Sequence, residues 1–112
     1  MYMIMALINE ERLDDVINGL LEHEITGITI SDTRGFGNIH IKSGLDKQVN
    51  LNKKVKLEIV VTNDEFKKQV IDLLFENCHD THQGAGKIFV YDVKEVYRIR
   101  TGERDSEALK TY

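Results

Sequence analysis

The feature that most constrains the fold of this chain is a strand, helix and strand pattern that occurs twice within 112 residues. In the first unit, the apolar run over residues 2–8 predicts a strand. Apolar residues then recur at three-and-four spacing over residues 10–23, which predicts an amphipathic helix. The β-branched residues within 25–33 predict the second strand of this unit.

The second unit begins with apolar and polar residues that alternate from Val55 to Val61 and predict a strand. Asn63 or Asp64 can cap the helix that follows. The apolar face predicted for that helix consists of Phe66, Val70, Ile71, Leu73, Leu74 and Phe75. Residues 88–93 predict a fourth strand, and residues 96–99 a short fifth element. Two such units predict an α+β, ferredoxin-like βαββαβ fold, with an antiparallel sheet and both helices on one face.

Length and charge exclude several classes of protein. A chain of 112 residues is expected to form one domain over residues 1–112. The net charge of −4 and pI near 5.5 argue against a nucleic-acid partner. The apolar start is too short for a membrane span and lacks a basic leader. A single cysteine, Cys78, fits a reducing compartment, so we expect a cytoplasmic protein without membrane insertion.

A glycine-rich motif followed by basic residues predicts a site for a polyanion. The motif is Gly84-Ala85-Gly86-Lys87, and it leads into the predicted fourth strand. Glycines allow backbone amides to approach a phosphate, and Lys87 adds a positive charge. Arg98 and Arg100 are two residues apart and project to the same side of an extended segment. The sequence therefore predicts a nucleotide-binding protein.

The same motifs resemble a known family. The run GAGKIFV with a following RIRTGE is similar to the C-terminal signature of the PII family of trimeric nitrogen and energy signalling proteins. The likeness extends over nearly the whole chain, through residues 13–16, 25–30, 34–37 and 54–61. It implies a homotrimer that binds ADP or ATP, with or without Mg, in clefts between subunits. The phosphate contacts implied by the resemblance are Gly84, Ala85, Gly86 and Lys87 of the loop over residues 79–87, with Arg98 and Arg100 of the C-terminal segment over residues 98–112.

The resemblance also implies contacts to the rest of the nucleotide. Gly35, Phe36 and Gly37 match a family motif whose backbone approaches the nucleotide, although Phe36 could equally be a core residue. The positions implied for the adenine pocket are Leu7, Thr29, Glu58, Ile59 and Val60. One departure concerns Ala85, which stands where the family usually has an acidic residue. Loss of that charge is expected to change the relative affinities of the site for different nucleotides.

Residues 38–52 correspond to the family's T-loop, the segment that binds the regulated partner. This segment is several residues shorter than in typical members and contains no tyrosine, so uridylylation at the family's loop tyrosine is excluded. Ile39 replaces the glutamine that helps to hold magnesium and 2-oxoglutarate, whereas Lys54 matches the lysine that pairs with 2-oxoglutarate. We therefore expect no 2-oxoglutarate effect. The expected partner is a membrane transporter component or a metabolic enzyme.

Other interpretations remain open at the level of the sequence. Cys78, His79, Asp80 and His82 are metal-ligand types at close spacing, but four ligands in one short turn would be crowded, so no metal site is predicted. Thr81 departs from the family's spacing. No nucleophile and base pair has sequence support, so the chain is not expected to be an enzyme. The alternatives to an adenine-nucleotide sensor are a regulator of another small ligand (cyclic dinucleotide, bicarbonate or metal) and a ligand-free interaction module.

Overall fold

The computed structural model describes residues 1–35, 51–79 and 86–110. The predictions made for Phe36, Gly37, most of residues 38–52, Thr81, Gly84 and Ala85 lie outside the described residues. Along the chain the described elements are β1 (Tyr2–Ile8), a 3-10 helix (Glu10–Arg12), α1 (Leu13–Glu22), β2 (Ile28–Gly35), β3 (Asn52–Val61), α2 (Asp64–Cys78), β4 (Lys87–Asp92) and α3 (Asp105–Ala108). The four strands form an antiparallel sheet in the order β2-β3-β1-β4. The predicted ferredoxin-like α+β fold is confirmed.

The core lies between the sheet and the two long helices. Alternate residues of the central strands β1 and β3 are buried, as the period of a strand requires. They share one apolar cluster with residues of both helices. Its members are Ile4, Ala6, Ile8, Val16, Leu20, Ile25, Val55, Leu57, Ile59, Val61, Val70, Leu73 and Leu74. The alternation of strand residues therefore decides which side chains remain available on the opposite face.

The two long helices pack closely against each other at Gly19. A Cβ atom at Gly19 would lie 2.3 Å from Cδ1 of Leu73, so α1 approaches α2 where it has no side chain. The predicted cap of α2 is confirmed, because the Asn63 side chain accepts a hydrogen bond from the Phe66 amide at 2.9 Å. The apolar face predicted for α2 is broader than its buried stripe, since Phe66 is 38% and Phe75 60% exposed.

One predicted boundary in the first unit is wrong. The helix predicted over residues 10–23 begins as the 3-10 helix at Glu10 and continues as α1 to Glu22, close to its predicted bounds. The second strand begins at Ile28 and not at Ile25, because the preceding residues form the C-terminal cap of α1. The Ile25 amide donates to the Leu20 carbonyl at 2.9 Å and the Glu24 amide donates to the Leu21 carbonyl at 3.0 Å. This is the Schellman arrangement, and it buries Ile25 in the core as a cap residue.

The short fifth element predicted over residues 96–99 is reduced to one bridge, and the extended segment predicted to carry Arg98 and Arg100 is wrong, because the chain turns at residues 99–100. Residues 96–99 form a single bridge, Tyr97 to Arg104, and then turn. The chain continues into α3, which the sequence analysis did not predict. A helix of four residues is too short to produce the three-and-four apolar spacing by which helices are recognised.

Candidate functional site

The face of the sheet opposite α1 and α2, here called the outer face, carries most of the predicted adenine contacts. In the strand registers, Thr29 lies opposite Glu58, and Leu7 lies opposite both Lys56 and Lys87. Leu7, Glu58 and Val60 alternate with buried core residues and are partly exposed. Directly paired residues of antiparallel strands share a face, so Thr29 also belongs to the outer face.

Ile59 is the exception among the predicted adenine contacts. Its side chain is 0% exposed and belongs to the core cluster between the sheet and the helices. Within one subunit, Ile59 could therefore contribute only backbone groups to a ligand on the outer face. Gly35, by contrast, ends β2 opposite Asn52, at the point where the chain leaves the sheet for residues 36–50.

Gly86 and Lys87 are fixed against Leu7 by the backbone. Gly86 adopts a φ of 113°, and a Cβ atom there would lie 1.8 Å from the Leu7 carbonyl oxygen. Lys87, the next residue, begins β4 and pairs with Leu7 in the register of β1 and β4. The second glycine of the motif is thus required by close backbone approach, independently of any ligand. The same geometry holds the start of β4 at the edge of the sheet.

A cavity of about 310 Å³ opens beside this contact. It combines three predicted site residues with apolar side chains at the end of α2. Its described lining consists of Leu7, Ile8, Leu74, Phe75, Cys78, His79, Gly86, Lys87 and Ile88. Burial raises the pKa of the Cys78 thiol, and the nearby charge of Arg12 opposes that rise. A raised pKa disfavours the thiolate form, and Cys78 contributes its side chain to the lining of the cavity.

Lys56 is a candidate ligand-binding residue that was not predicted from the sequence. It lies on the outer face across Leu7 from Lys87, so the two lysines are on strands about 10 Å apart. Its ammonium group lies 3.5 Å from Glu58 Oε1. The signal was available in the sequence, because the alternation that predicted β3 also places Lys56 on the same face as Glu58.

The two arginines of the motif lie in the C-terminal part of the described chain. Arg98 donates from Nη2 to the Ala108 carbonyl at 3.0 Å and also to the Lys110 carbonyl. Its Nη1 lies 3.5 Å from Glu103 Oε1. Arg100 is exposed in the turn that follows. A single subunit therefore brings Leu7, Gly86 and Lys87 together in one cavity, and uses Arg98 to hold its own C-terminal segment.

A second, polar cleft of about 350 Å³ lies where β2 and β3 leave the sheet. Two acidic and three basic residues line it. The described lining is Glu10, Asp32, Thr33, Arg34, Lys53, Lys54 and Val55. Lys54, the lysine related by resemblance to 2-oxoglutarate binding, donates a hydrogen bond to Asn9 Oδ1.

The described residues offer neither a metal-binding cluster nor a membrane-spanning helix. Within residues 1–35, 51–79 and 86–110, no three His, Cys, Asp or Glu side chains are grouped so that they could hold a metal ion. Asp80 and His82, which the sequence analysis considered as zinc ligands, lie outside the described residues. In the same part of the chain, no helix has the length and apolar character needed to cross a membrane.

Comparison with known proteins identifies the family to which this fold and site belong. Residues 1–103 match the family described as Nitrogen regulatory protein P-II. The chain is 44% identical over 110 residues to a nitrogen regulatory protein P-II of Pasteurella multocida, an alignment that covers 95% of this chain and 97% of the relative. With the same coverage of both chains, it is 41% identical to a protein of that name from Klebsiella oxytoca and 40% identical to nitrogen regulatory protein P-II 1 of Escherichia coli K12.

The chain therefore belongs to the P-II family of nitrogen regulatory proteins. This confirms the resemblance drawn from the GAGKIFV and RIRTGE runs. Members of the family are regulatory signalling proteins that interact with protein partners. The match covers all four strands and both long helices of the described part of the chain, so the family assignment and the ferredoxin-like fold agree over the same residues.

Proposed function

We propose that this chain is an adenine-nucleotide sensor that binds ADP or ATP and regulates a partner protein through residues 38–52. The observation that carries the proposal is the cavity in which Leu7, Gly86 and Lys87 meet. Its lining combines apolar side chains on the α2 side of the sheet, which are suited to a base or ribose, with a lysine suited to a phosphate. The lysine is set at the start of an edge strand by the backbone contact between Gly86 and Leu7.

The proposed assembly is a homotrimer, in which Arg98 and Arg100 reach the phosphates from an adjoining subunit. Large apolar side chains on β4 favour self-association: Phe89 is 40%, Val90 44% and Tyr91 47% exposed. Phe89 and Tyr91 pair with Met5 and Met3, so all four lie on the outer face. The number of subunits comes from the family resemblance. Scattering-coupled size exclusion should give three times the subunit mass of 12.9 kDa.

In this proposal the output segment is residues 38–52. The chain leaves the sheet after Gly35 and rejoins it at Asn52, the first residue of β3, so the Gly35 and Asn52 pair fixes the chain on both sides of the segment. A ligand shifts the state of such a segment only if it binds the alternative states with different affinity. The presence or absence of the γ-phosphate would supply that difference. The regulated partner would be a membrane transporter component or a metabolic enzyme, and the compartment would be the cytoplasm.

One observation favours a second function, that of an interaction module without a ligand. Arg98 lies 3.5 Å from Glu103, and Lys56 lies 3.5 Å from Glu58, so two basic groups near the proposed site already face carboxylates of the same chain. In that case the basic set would stabilise the subunit or a protein interface. A superfamily regulator of another small ligand would have no evident use for Lys87, Arg98 and Arg100 together.

Titration calorimetry with AMP, ADP, ATP, a cyclic dinucleotide and 2-oxoglutarate separates these functions. We expect binding of ADP or ATP. Lys87→Ala and Arg100→Ala should each weaken that binding about ten- to a hundredfold, since a charge-assisted contact contributes about 1.5–3 kcal/mol. Lys94→Ala is the matched control, because Lys94 is an exposed lysine beyond the end of β4.

The two variants also define what would contradict the proposal. Unchanged nucleotide affinity in both Lys87→Ala and Arg100→Ala would exclude the proposed phosphate site. An absence of binding by any nucleotide, with an intact fold, would favour the interaction module. A similar loss of affinity in Lys94→Ala would mean that general charge, and not the site, controls binding.

A further inference from the structure

The last described part of the chain folds back on itself. The Asp105 amide donates to the Val96 carbonyl at 2.7 Å, and the Val96 amide donates to Asp105 Oδ1 at 3.2 Å. Asp105 has a φ of 55°, a left-handed conformation that costs energy for a residue with a side chain. The two hydrogen bonds between Asp105 and Val96 maintain that conformation. We call residues 103–110, which this pairing positions, the C-terminal clasp.

The Arg98 side chain binds the C-terminal clasp in its closed arrangement. Its Nη2 group carries two protons, and it donates to two carbonyls, those of Ala108 and Lys110. Its Nη1 lies 3.5 Å from the Glu103 carboxylate. The backbones are joined as well, since the Arg98 amide donates to the Glu103 carbonyl at 2.8 Å. The Arg98 side chain is only 20% exposed as a result.

We propose that the C-terminal clasp regulates the phosphate site by competing with phosphate for Arg98. This inference rests on the proposed function, in which Arg98 contacts the phosphates of a nucleotide. The Nη2 protons that reach Ala108 and Lys110 are not available to a phosphate while the clasp is closed. The Glu103 carboxylate beside Nη1 would also repel a phosphate at the same position.

Phosphate binding and clasp closure therefore exclude each other. A phosphate offers charged oxygens to the guanidinium, whereas Ala108 and Lys110 offer neutral carbonyls. A bound polyphosphate thus displaces the clasp. Conversely, the apparent affinity for polyphosphate equals the intrinsic affinity multiplied by the fraction of molecules in which the clasp is open and Arg98 is released. Residues 103–110 become a second segment whose state reports the occupancy of the site.

A full-length Asp105→Pro variant tests the competition. Proline removes the amide that donates to Val96 and cannot adopt a positive φ, so the clasp should open. Glu107→Gln is the matched control. It also removes one negative charge from the clasp, but the Glu107 side chain contacts Lys110 Nζ and not Val96 or Arg98. The probes are ATP and inorganic tripolyphosphate, titrated calorimetrically into the wild type and both variants.

We expect Asp105→Pro to bind both probes about tenfold more tightly than the wild type, and Glu107→Gln to differ from it by less than about twofold. In the wild type, saturating ATP should accelerate amide exchange at Leu109 and Lys110, whose amides bond within the clasp. Equal affinities in Asp105→Pro and wild type, or exchange that is unchanged or slower with ATP bound, would overturn the proposal.

The two probes distinguish failure of this inference from failure of the proposed function. If Asp105→Pro tightens tripolyphosphate but ATP binds no better than tripolyphosphate, the clasp competes as inferred and adenine sensing is wrong. If the wild type binds ATP tightly and Asp105→Pro changes nothing, nucleotide binding stands and the competition is wrong. If no form binds either probe, both proposals are wrong.

Discussion

Gly86 lies so close to Leu7 that a Cβ atom on Gly86 would be 1.8 Å from the Leu7 carbonyl oxygen. Lys87 then pairs with Leu7 in the register of β1 and β4. The position of Lys87, the proposed phosphate-binding residue, is therefore determined by a contact between two backbones. A glycine that looks like part of a phosphate loop in the sequence has a structural requirement of its own.

Gly86→Ala should destabilise the protein by at least about 2–3 kcal/mol, because a positive φ costs a non-glycine residue about 1–3 kcal/mol and the new Cβ overlaps a carbonyl that cannot rotate away. Chemical denaturation of variant and wild type measures the change. Gly27→Ala is the control, since nothing lies within 4 Å of its Cβ position, and it should change stability by less than about 0.5 kcal/mol. A Gly86→Ala protein as stable as the wild type would show that β4 can shift away from Leu7.

Glu24→Gly should stabilise the protein by about 0.5–1 kcal/mol. Glu24 occupies the left-handed position of the Schellman cap with a φ of 60°, a conformation that glycine adopts without the steric penalty of a Cβ. The same change two residues earlier, Glu22→Gly, falls at the last residue of α1 and should destabilise by about 0.5–1 kcal/mol. Thermal unfolding of the two variants should thus give shifts of opposite sign. Shifts of the same sign would contradict the cap assignment.

The sequence predicted the order of the main elements because their apolar residues repeat with clear periods. It failed where conformation is decided by single contacts. Ile25 continues the β-branched pattern of β2, yet it is bonded back to Leu20 as a cap. The bonds of Arg98 to Ala108 and Lys110 join residues in a segment without any periodic pattern.

The candidate site was predictable to a similar extent. The strand alternation, once known, places Leu7, Glu58 and Val60 on the outer face and Ile59 in the core. It also places Lys56 there, a residue that lies outside both motifs from which the site was predicted. The contact of Gly86 with Leu7 could not be predicted, because it depends on how closely two distant backbones approach each other.

The hydroxyl of Tyr2 and the carboxylate of Asp64 form a pH-dependent contact between β1 and α2. Tyr2 donates to Asp64 Oδ1 at 2.6 Å, and Lys67 lies 3.2 Å from the same oxygen. The hydrogen bond from Tyr2, followed by that from Lys67, lowers the pKa of Asp64. The bond to Asp64 and its negative charge raise the pKa of Tyr2, against a smaller opposing effect of Lys67.

Tyr2→Phe should reduce stability only in a defined pH range. The lowered pKa of Asp64 gives a contribution that is present above its unfolded value of about 4 and is lost as the pH falls through the folded value. The raised pKa of Tyr2 gives a contribution that is present below about 10 and is lost as the pH rises through the folded value. The difference in unfolding free energy between wild type and Tyr2→Phe should therefore be largest between about pH 5 and 9 and shrink on either side.

The phenylalanine ring makes this a selective test. Lys67 Nζ lies 4.2 Å from the centroid of the Tyr2 ring, and a phenylalanine preserves that cation-π contact while removing the hydroxyl. Any pH-dependent difference then reports the bond to Asp64. A difference between wild type and Tyr2→Phe that stays constant from acid to alkaline pH would exclude the contact as a source of pH-dependent stability.

Ile39 argues against a second effector at the proposed nucleotide site. By the family resemblance, Ile39 stands at the position of a glutamine that is implied to hold magnesium and 2-oxoglutarate, and an aliphatic side chain has no oxygen to offer a hard cation. Lys54, the matching effector lysine, donates to Asn9 in this structure. Coupled ligands typically change each other's affinity about 5- to 150-fold, whereas we expect millimolar 2-oxoglutarate with magnesium to change the dissociation constant of ATP by less than about twofold. Calorimetry with Ile39→Gln supplies the matched variant: if the missing amide oxygen is the main deficit, 2-oxoglutarate should tighten ATP binding in that protein alone. A clear tightening in the wild type would mean that another loop group, such as Asn38 or His40, has taken over the ligand role.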